Sequence, residues 1–240
     1  MAATWWQNEW QRVRENYYTT TMLLGNGDDD HLNDMSDDDW EELGRDISKN
    51  TRLKTVLYRA GALNDHKLSF FFRGLTRSSS IRDIHLPENE ISVAGVRSMV
   101  PFLQNANNLT DLYLHGNDIK SEGFNTLLRA LRNNPIEELY CERCGIESIE
   151  IEDECFPKYL EQLHLQDNKI NADGCRGLAK LLQGGDATLT HLYLSNNKID
   201  DEGVEILVDA LQNNTSLETL DLKSNDDIST RTYHVAKTGE

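Results

Sequence analysis

No apolar run in these 240 residues approaches the roughly 18 to 20 that a membrane-spanning helix requires. The opening residues, MAATWWQNEWQRVREN, lack a basic segment followed by an apolar one, so they do not read as a secretory signal. Cysteine is scarce. Four in a chain of this length do not make a disulfide scaffold, and without an export signal a reducing, cytoplasmic setting is expected. Basic residues are outnumbered, 24 Lys and Arg against 41 Asp and Glu, for a formal net charge of -17. No basic stripe is present to displace counterions from phosphates, which argues against nucleic acid as a partner. P-loop, G-x-S-x-G and H-E-x-x-H motifs are all missing, and no carboxylate is paired with a candidate nucleophile. The chain therefore offers no catalytic constellation, and neither an enzymatic activity nor a cofactor is expected.

What the chain does have is a period. The stretch LTDLYLHGNDI places Leu109, Leu112 and Leu114 ahead of Asn117 and Ile119. The same spacing recurs at Ile81, Ile84, Leu86, Asn89 and Ile91, then at Leu160, Leu163, Leu165, Asn168 and Ile170. It returns at Leu189, Leu192, Leu194, Asn197 and Ile199. Looser copies run Leu53, Val56, Tyr58, Gly61, Leu63 and Ile136, Leu139, Cys141, Cys144, Ile146; a last one, Leu217, Leu220, Leu222, Asn225, then breaks down. Successive copies start 28, 28, 27, 24, 29 and 28 residues apart. Fourteen residues after four of the starts stand Gly95, Gly123, Gly174 and Gly203, read as easing a tight entry into a helix. Apolar pairs four apart follow at Met99/Leu103, Leu127/Leu131, Leu178/Leu182 and Leu207/Leu211, on one helical face each.

This pattern, from residue 53 to about 225, resembles the leucine-rich repeat family in its long, ribonuclease-inhibitor-like class. The resemblance implies an α/β solenoid: a horseshoe with a parallel sheet on its concave face and helices outside. One unit cannot bury its own leucines, so stacked copies must share a core. The Asn of each unit is expected to be buried, its amide satisfying backbone groups where the chain leaves the strand. Repeats of this class also resemble those of Ran GTPase-activating proteins, which would imply regulation of a small GTPase. The chain has fewer units than that family and lacks its acidic C-terminal extension.

Three stretches are expected to be organised differently. Residues 1–50 form an N-terminal helix, with Trp5, Trp6, Trp10, Val13 and Tyr17 on its apolar face, and a degenerate first unit holding Met22, Leu24, Trp40, Leu43 and Ile47. The helix is read as a lid over the open end of the core, or as a docking element. Residues 51–228 are the repeats, and 229–240 a flexible tail. The short fourth unit, with Pro157 and no helix Gly, is expected to lack a regular outer helix and to carry Glu147, Glu150, Glu152, Asp153 and Glu154 on the convex side. Cys141, Cys144 and Cys175 fit the repeat register as small buried residues, so CERC is not read as a metal site and no metal is expected. The sequons at Asn108 and around Asn214 fall where units end in Asn-Asn and, without a secretion signal, are not read as glycosylation sites.

If the fourth and sixth residues of a unit point into the core, the third, fifth and seventh face outward. The fifth-position column reads Leu57, His85, Tyr113, Tyr140, His164, Tyr193, Asp221. The third reads Thr55, Asp83, Asp111, Glu138, Gln162, His191, Thr219, and the seventh Arg59, Pro87, His115, Glu142, Gln166, Ser195, Lys223. A Tyr/His stripe beside carboxylates suits a protein-binding surface. His85, Tyr113, Tyr140, His164, Tyr193, Asp83, Asp111 and Glu138 are the candidate contacts. The expected function is a non-catalytic interaction scaffold for a basic protein partner, with cation–π contact to the rings as a contributor. The acidic run between Asp28 and Asp46 is read as a solvated face or loop, or else as an attractor that speeds encounter with a basic partner. Tyr rings on adjacent strands could instead stack on one another and stabilise the sheet.

Overall fold

The computed structural model describes residues 5–17, 21–26, 34–59, 63–150, 156–183 and 188–229, with the backbone alone for 5–6 and 21–26. Gly61, Glu152, Asp153, Glu154, Cys155, the acids at 28–30, the tail from 230 and the side chains of Trp5, Trp6, Met22 and Leu24 lie outside the described residues.

Eight strands form one parallel sheet in strict sequence order: β1 (Thr21–Asn26), β2 (Thr55–Arg59), β3 (Asp83–His85), β4 (Asp111–Tyr113), β5 (Glu138–Tyr140), β6 (Gln162–His164), β7 (His191–Tyr193) and β8 (Thr219–Asp221). Helix α1 (Trp5–Arg14) precedes the first strand. Between strands run α2 (Asp37–Lys49), α3 (Asp65–Gly74), α4 (Val93–Leu103), α5 (Lys120–Ala130), α6 (Ala172–Gln183) and α7 (Asp201–Leu211). The architecture is an α/β horseshoe solenoid. α2 packs on α3, α3 on α4, α4 on α5, and α6 on α7. None of the described helices is long and apolar enough to cross a membrane.

The strands are short because each has a single duty. In β3 to β7 the middle residue (Ile84, Leu112, Leu139, Leu163, Leu192) is buried between two half-buried neighbours, and the chain then turns outward. The first- and sixth-position residues join them: Leu109, Leu114, Ile136, Cys141, Leu160, Leu165, Leu189 and Leu194 are all fully enclosed. The helix pairs complete the interior, with Met99, Leu103, Leu127, Leu131, Leu178, Leu182 and Leu207 buried and Leu211 partly so.

The helix glycines are required by space. None of Gly95, Gly123, Gly174 and Gly203 has a left-handed φ. A Cβ on Gly95, Gly174 or Gly203 would come within 2.9, 2.7 or 2.9 Å of the Cγ2 of Ile91, Ile170 or Ile199, the isoleucine four residues earlier in the same unit. A core-filling Ile and a bare position one turn on are thus one device.

At the N-terminal end, α1 lies against α2. Trp10 and Val13 are buried, Trp10 Nε1 donates to Asp46 at 2.8 Å, Arg14 pairs with Asp46 and Glu42 at 2.6 Å, and Asn50 Nδ2 donates to the Val13 carbonyl. Tyr17 departs from expectation. The helix stops at Arg14, Asn16 adopts a left-handed conformation and bonds Thr51, and Tyr17 is left 55% exposed. At the other end the leucines equivalent to Leu189, Leu192 and Leu194, namely Leu217, Leu220 and Leu222, are only partly buried.

The fourth unit has no helix among its described residues. Its segment 147–150 instead runs between α5 and α6. Ser121 Oγ accepts from Glu147 N and Ser148 N, Asn125 Oδ1 accepts from Glu150 N, Ile149 is buried, and the Ile149 carbonyl sits where a Cβ on Gly177 would be, 2.0 Å away.

Where a unit carries the Asn, the amide ties that unit to the one before it. Asn117 Nδ2 donates to Leu86 O and Leu114 O, both at 2.8 Å, while its Oδ1 accepts from Ile91 N at 3.1 Å. Asn168, Asn197 and Asn225 repeat this bridge one unit further along each time. Cys144, in the same slot, makes only weak thiol contacts, 3.4 Å from Leu114 O and Glu142 O. The sequon residue Asn214 is occupied likewise, its Nδ2 donating to Leu182 O and its Oδ1 accepting from Leu217 N. Because buried backbone groups without partners each cost about 1–3 kcal/mol, Asn117→Ala is expected to lower unfolding free energy by about 2–4 kcal/mol. Urea denaturation followed by circular dichroism measures it; a loss below about 1 kcal/mol would show that water replaces the amide freely.

Candidate interaction face

Strands β3 to β7 pair without stagger. Asp83, Asp111, Glu138, Gln162 and His191 are successive partners, as are His85, Tyr113, Tyr140, His164 and Tyr193. All eight candidate contacts thus fall on one face of the sheet, each half-buried. Register alone does this. With the middle residue of each strand in the core, its two neighbours must face the other way.

The five fifth-position rings form one continuous stack. Centroids are 3.9, 4.1, 4.0 and 4.4 Å apart from His85 through Tyr113, Tyr140 and His164 to Tyr193, with interplanar angles of 13 to 22°. Strand backbones in a sheet lie about 4.8 Å apart. The rings are closer than the chains that carry them, as side chains on the inside of a curve must be. The stacking has a cost for one expectation. The face of each inner ring is covered by its neighbours, so a cation cannot sit over Tyr113, Tyr140 or His164. What the column presents outward is ring edges, hydroxyls and imidazole nitrogens.

The third-position row is held by side-chain hydrogen bonds. Thr55 Oγ1 donates to Asp83 at 2.6 Å and Thr110 Oγ1 to Asp111 at 2.5 Å. Tyr140 donates to Glu138 Oε2 and Gln162 Nε2 to Glu138 Oε1, both at 2.8 Å. Burial, reinforced by the charges of Asp83 and Glu138, pushes the Asp111 carboxyl up to about 6. Burial raises the Tyr113 phenol, and burial together with its bond to Glu138 raises that of Tyr140. Burial lowers the imidazoles of His85 and His115 and takes His164 down to about 4. At neutral pH His85, His115 and His164 are therefore uncharged, and the charge beside them comes from carboxylates.

The seventh-position row adds residues that the sequence displayed but did not single out. His115, Glu142 and Gln166 stand on consecutive units below the ring stack; Gly116 N donates to Glu142 O and Arg143 N to Gln166 O, which fixes them side by side. Only their place in the same outward column pointed to them. On the rim, Glu88 is held between Arg143 at 3.2 Å and Arg59 at 3.5 Å, and a Cβ on Gly116, whose φ is +74°, would come within 3.0 Å of Glu88 Cγ.

The leucine-rich repeat family model matches residues 157–179, 185–208 and 213–231. No curated protein matches the chain. Among solved structures, the actin-binding site 2 of leiomodin-1 is 20% identical with a TM-score of 0.49, over 58% of this chain and 80% of that one. An internalin from Listeria monocytogenes is 18% identical at 0.46, over 75% and 51%. The Rad7 and Elc1 complex in yeast gives 16% identity at 0.43, over 84% and 57%. This chain therefore spans little more than half of the last two. The family match covers three stretches in the C-terminal part of the chain, and the strand register described above repeats on both sides of where it begins.

Two groups of the face pull stability in opposite directions with pH. Asp111 has a raised folded pKa, so its contribution is present below about 4 and is lost as pH rises towards about 6. His164 has a lowered one, so its contribution is present above the usual 6.5 and is lost as pH falls towards about 4. Relative to the parent chain, Asp111→Asn should make stability climb more steeply between pH 4 and 6, and His164→Phe should make it climb less. Urea midpoints at half-unit pH steps read both slopes; variants parallel to the parent would show that neither group is held as described.

Proposed function

The chain is a leucine-rich-repeat protein, and on that premise we propose that it is a non-catalytic scaffold whose concave sheet binds a protein segment rich in Lys or Arg. A scaffold of this kind suits protein–protein interaction, having a broad, repeating surface on a rigid core. The observation that carries the choice of partner is the row Asp83, Asp111, Glu138, aligned on consecutive strands beside a neutral aromatic stack. From β3 to β7 neither the third- nor the fifth-position column holds a Lys or Arg.

The recognition is electrostatic with an aromatic floor. Carboxylates steer and hold the cations, and the ring edges and hydroxyls give apolar area and hydrogen bonds at little entropic cost. The net charge of -17 extends the attraction beyond the contact itself. Cys141, Cys144 and Cys175 are unpaired buried thiols, which supports a reducing, cytoplasmic setting.

A displayed library of random peptides selected on the immobilised protein tests the reading. Basic sequences are expected to be enriched, with affinity falling at least about ten-fold when salt is raised from 50 to 300 mM. The isosteric triple variant Asp83→Asn, Asp111→Asn, Glu138→Gln should lose them while keeping its thermal melt within about 5 °C. Enrichment of acidic or purely apolar peptides, or equal capture by the triple variant, would reject the assignment.

A further inference from the structure

The rim where helices α2 and α3 give way to β2 and β3 gathers cations that the chain keeps apart. Lys49 and Arg77 stand four positions before Leu53 and Ile81, the first residues of their units, and Lys54 and Arg82 one position after them. The two turns lie side by side. Arg82 N donates to Lys54 O at 2.8 Å, Ser48 Oγ to Arg77 O at 2.7 Å, and Ser80 Oγ to Asn50 O at 2.9 Å. Lys49, Arg77 and Arg82 are exposed and Lys54 is half-buried, and Arg52 adds a further cation to the first turn. No Asp or Glu occurs in 47–54, in 75–82 or in the third turn, 103–110, which Asn108 Nδ2 ties to Ser79 O. Further along the rim the same two positions read Asn105 and Thr110, then Arg132 and Glu137, and the excess of positive charge ends.

Such a cluster is a departure for this chain. Acids outnumber bases by 41 to 24, and elsewhere Arg73, Arg97 and Arg143 each pair with a carboxylate. Among the described residues none of Lys49, Lys54, Arg77 and Arg82 forms an ion pair. The nearest acids along the chain are committed elsewhere: Asp46 accepts from Trp10 and Arg14, and Asp83 from Thr55. A cation in the last turn of a helix is favoured by the helix dipole, which accounts for Lys49 in α2. Arg77 lies beyond the end of α3, and Lys54 and Arg82 stand at strand entries, so that reason does not reach them. Like charges held together without counter-charges repel, and an anion laid on them relieves the repulsion.

We infer that this rim, centred on Lys49, Lys54, Arg77 and Arg82, is a second interaction surface and takes a short acidic segment of a protein partner. The class of partner follows from the extent of the patch and from what surrounds it. The patch covers two adjacent turns, bounded by Glu137 along the rim and by the carboxylate row of the concave face, which begins at Asp83 next to Arg82. A long polyanion, such as a nucleic acid, would carry its charge past the patch onto a protein of net charge -17. A few consecutive Asp or Glu side chains match the patch and stop there. The guanidinium forks of Arg77 and Arg82 suit carboxylates bidentately, and the two lysines add point charges. The surface is opposite in sign to the concave row, takes a different segment, and does not rest on the basic-segment reading.

The test titrates the full-length, isotope-labelled protein with a blocked hexaglutamate peptide, followed by NMR, with blocked hexaglutamine and a long single-stranded oligothymidylate as comparisons. Hexaglutamate should shift backbone amides in 48–54 and 76–82, with a dissociation constant at least about ten-fold below that of hexaglutamine and below that of the oligonucleotide. Raising salt from 50 to 300 mM should weaken it by a similar factor. The quadruple variant Lys49→Gln, Lys54→Gln, Arg77→Gln, Arg82→Gln should bind it at least about ten-fold more weakly while keeping its thermal melt within about 5 °C. The triple variant of the concave carboxylates should bind it no less tightly than the parent. Shifts centred on other residues, equal affinity for hexaglutamine, unaltered affinity of the quadruple variant or tighter binding of the oligonucleotide would overturn the proposal. The same amides shifting with protein concentration alone would give the patch to a second copy of this chain, and overturn it too. If basic peptides fail on the concave face and hexaglutamate still binds as described, this surface stands without the other.

Discussion

Every other feature of this protein depends on a buried carboxamide that must find three backbone partners. Asn117 reaches the carbonyl of its own unit and that of the unit before, and takes an N–H from the latter, so it can be satisfied only when two units lie at a fixed offset. Leucine packing alone would tolerate sliding, because one aliphatic side chain fills much the same space as the next. The amide does not. A slip of one residue would leave polar groups stranded in a dry interior, where each is expensive. Copied at Asn168, Asn197 and Asn225, the constraint makes equivalence between units a matter of hydrogen bonding as well as shape.

Equivalence then decides the surface. With no stagger between strands, any residue type repeated at an outward position becomes a contiguous line across the sheet. Tyr and His at the fifth position give a stack of touching rings, and Asp and Glu at the third give a row whose members feel one another's charge. Curvature tightens both, since side chains on the inner side of a bend are closer than their backbones. Stability and recognition are therefore entangled on this face. The contacts that stack the rings also remove their faces from use, leaving polar edges and carboxylates to meet a partner.

Much of this could be read from the residues. The recurrence of Leu109, Leu112, Leu114 and Asn117 at near-constant intervals implies the strand, the outward columns and the buried amide, because periodicity and side-chain alternation are local consequences of backbone geometry. The irregular fourth unit was visible in its shorter interval and Pro157. Other points depend on three-dimensional placement that spacing does not encode. Gly95 and its equivalents suggested a demand on backbone shape, but the demand is for room beside an isoleucine of the same unit. Tyr17 matched a helical stripe, yet Asn16 bonds Thr51 and turns the chain away first. Glu142 and Gln166 stood in a listed column, but their lack of partners is a property of neighbouring side chains and could not be seen there.

Among the described residues the fourth unit has no helix, and the outer layer falls into two groups. Helices α2 to α5 lean on one another in series and α6 leans on α7, while the described segment 147–150 runs between the two groups and bonds to Ser121 and Asn125. The sheet is continuous across this seam, but its backing is not. Tyr140 and His164 stand on the strands that meet at this seam. A partner bound there as proposed would lie across the boundary between the two groups of helices.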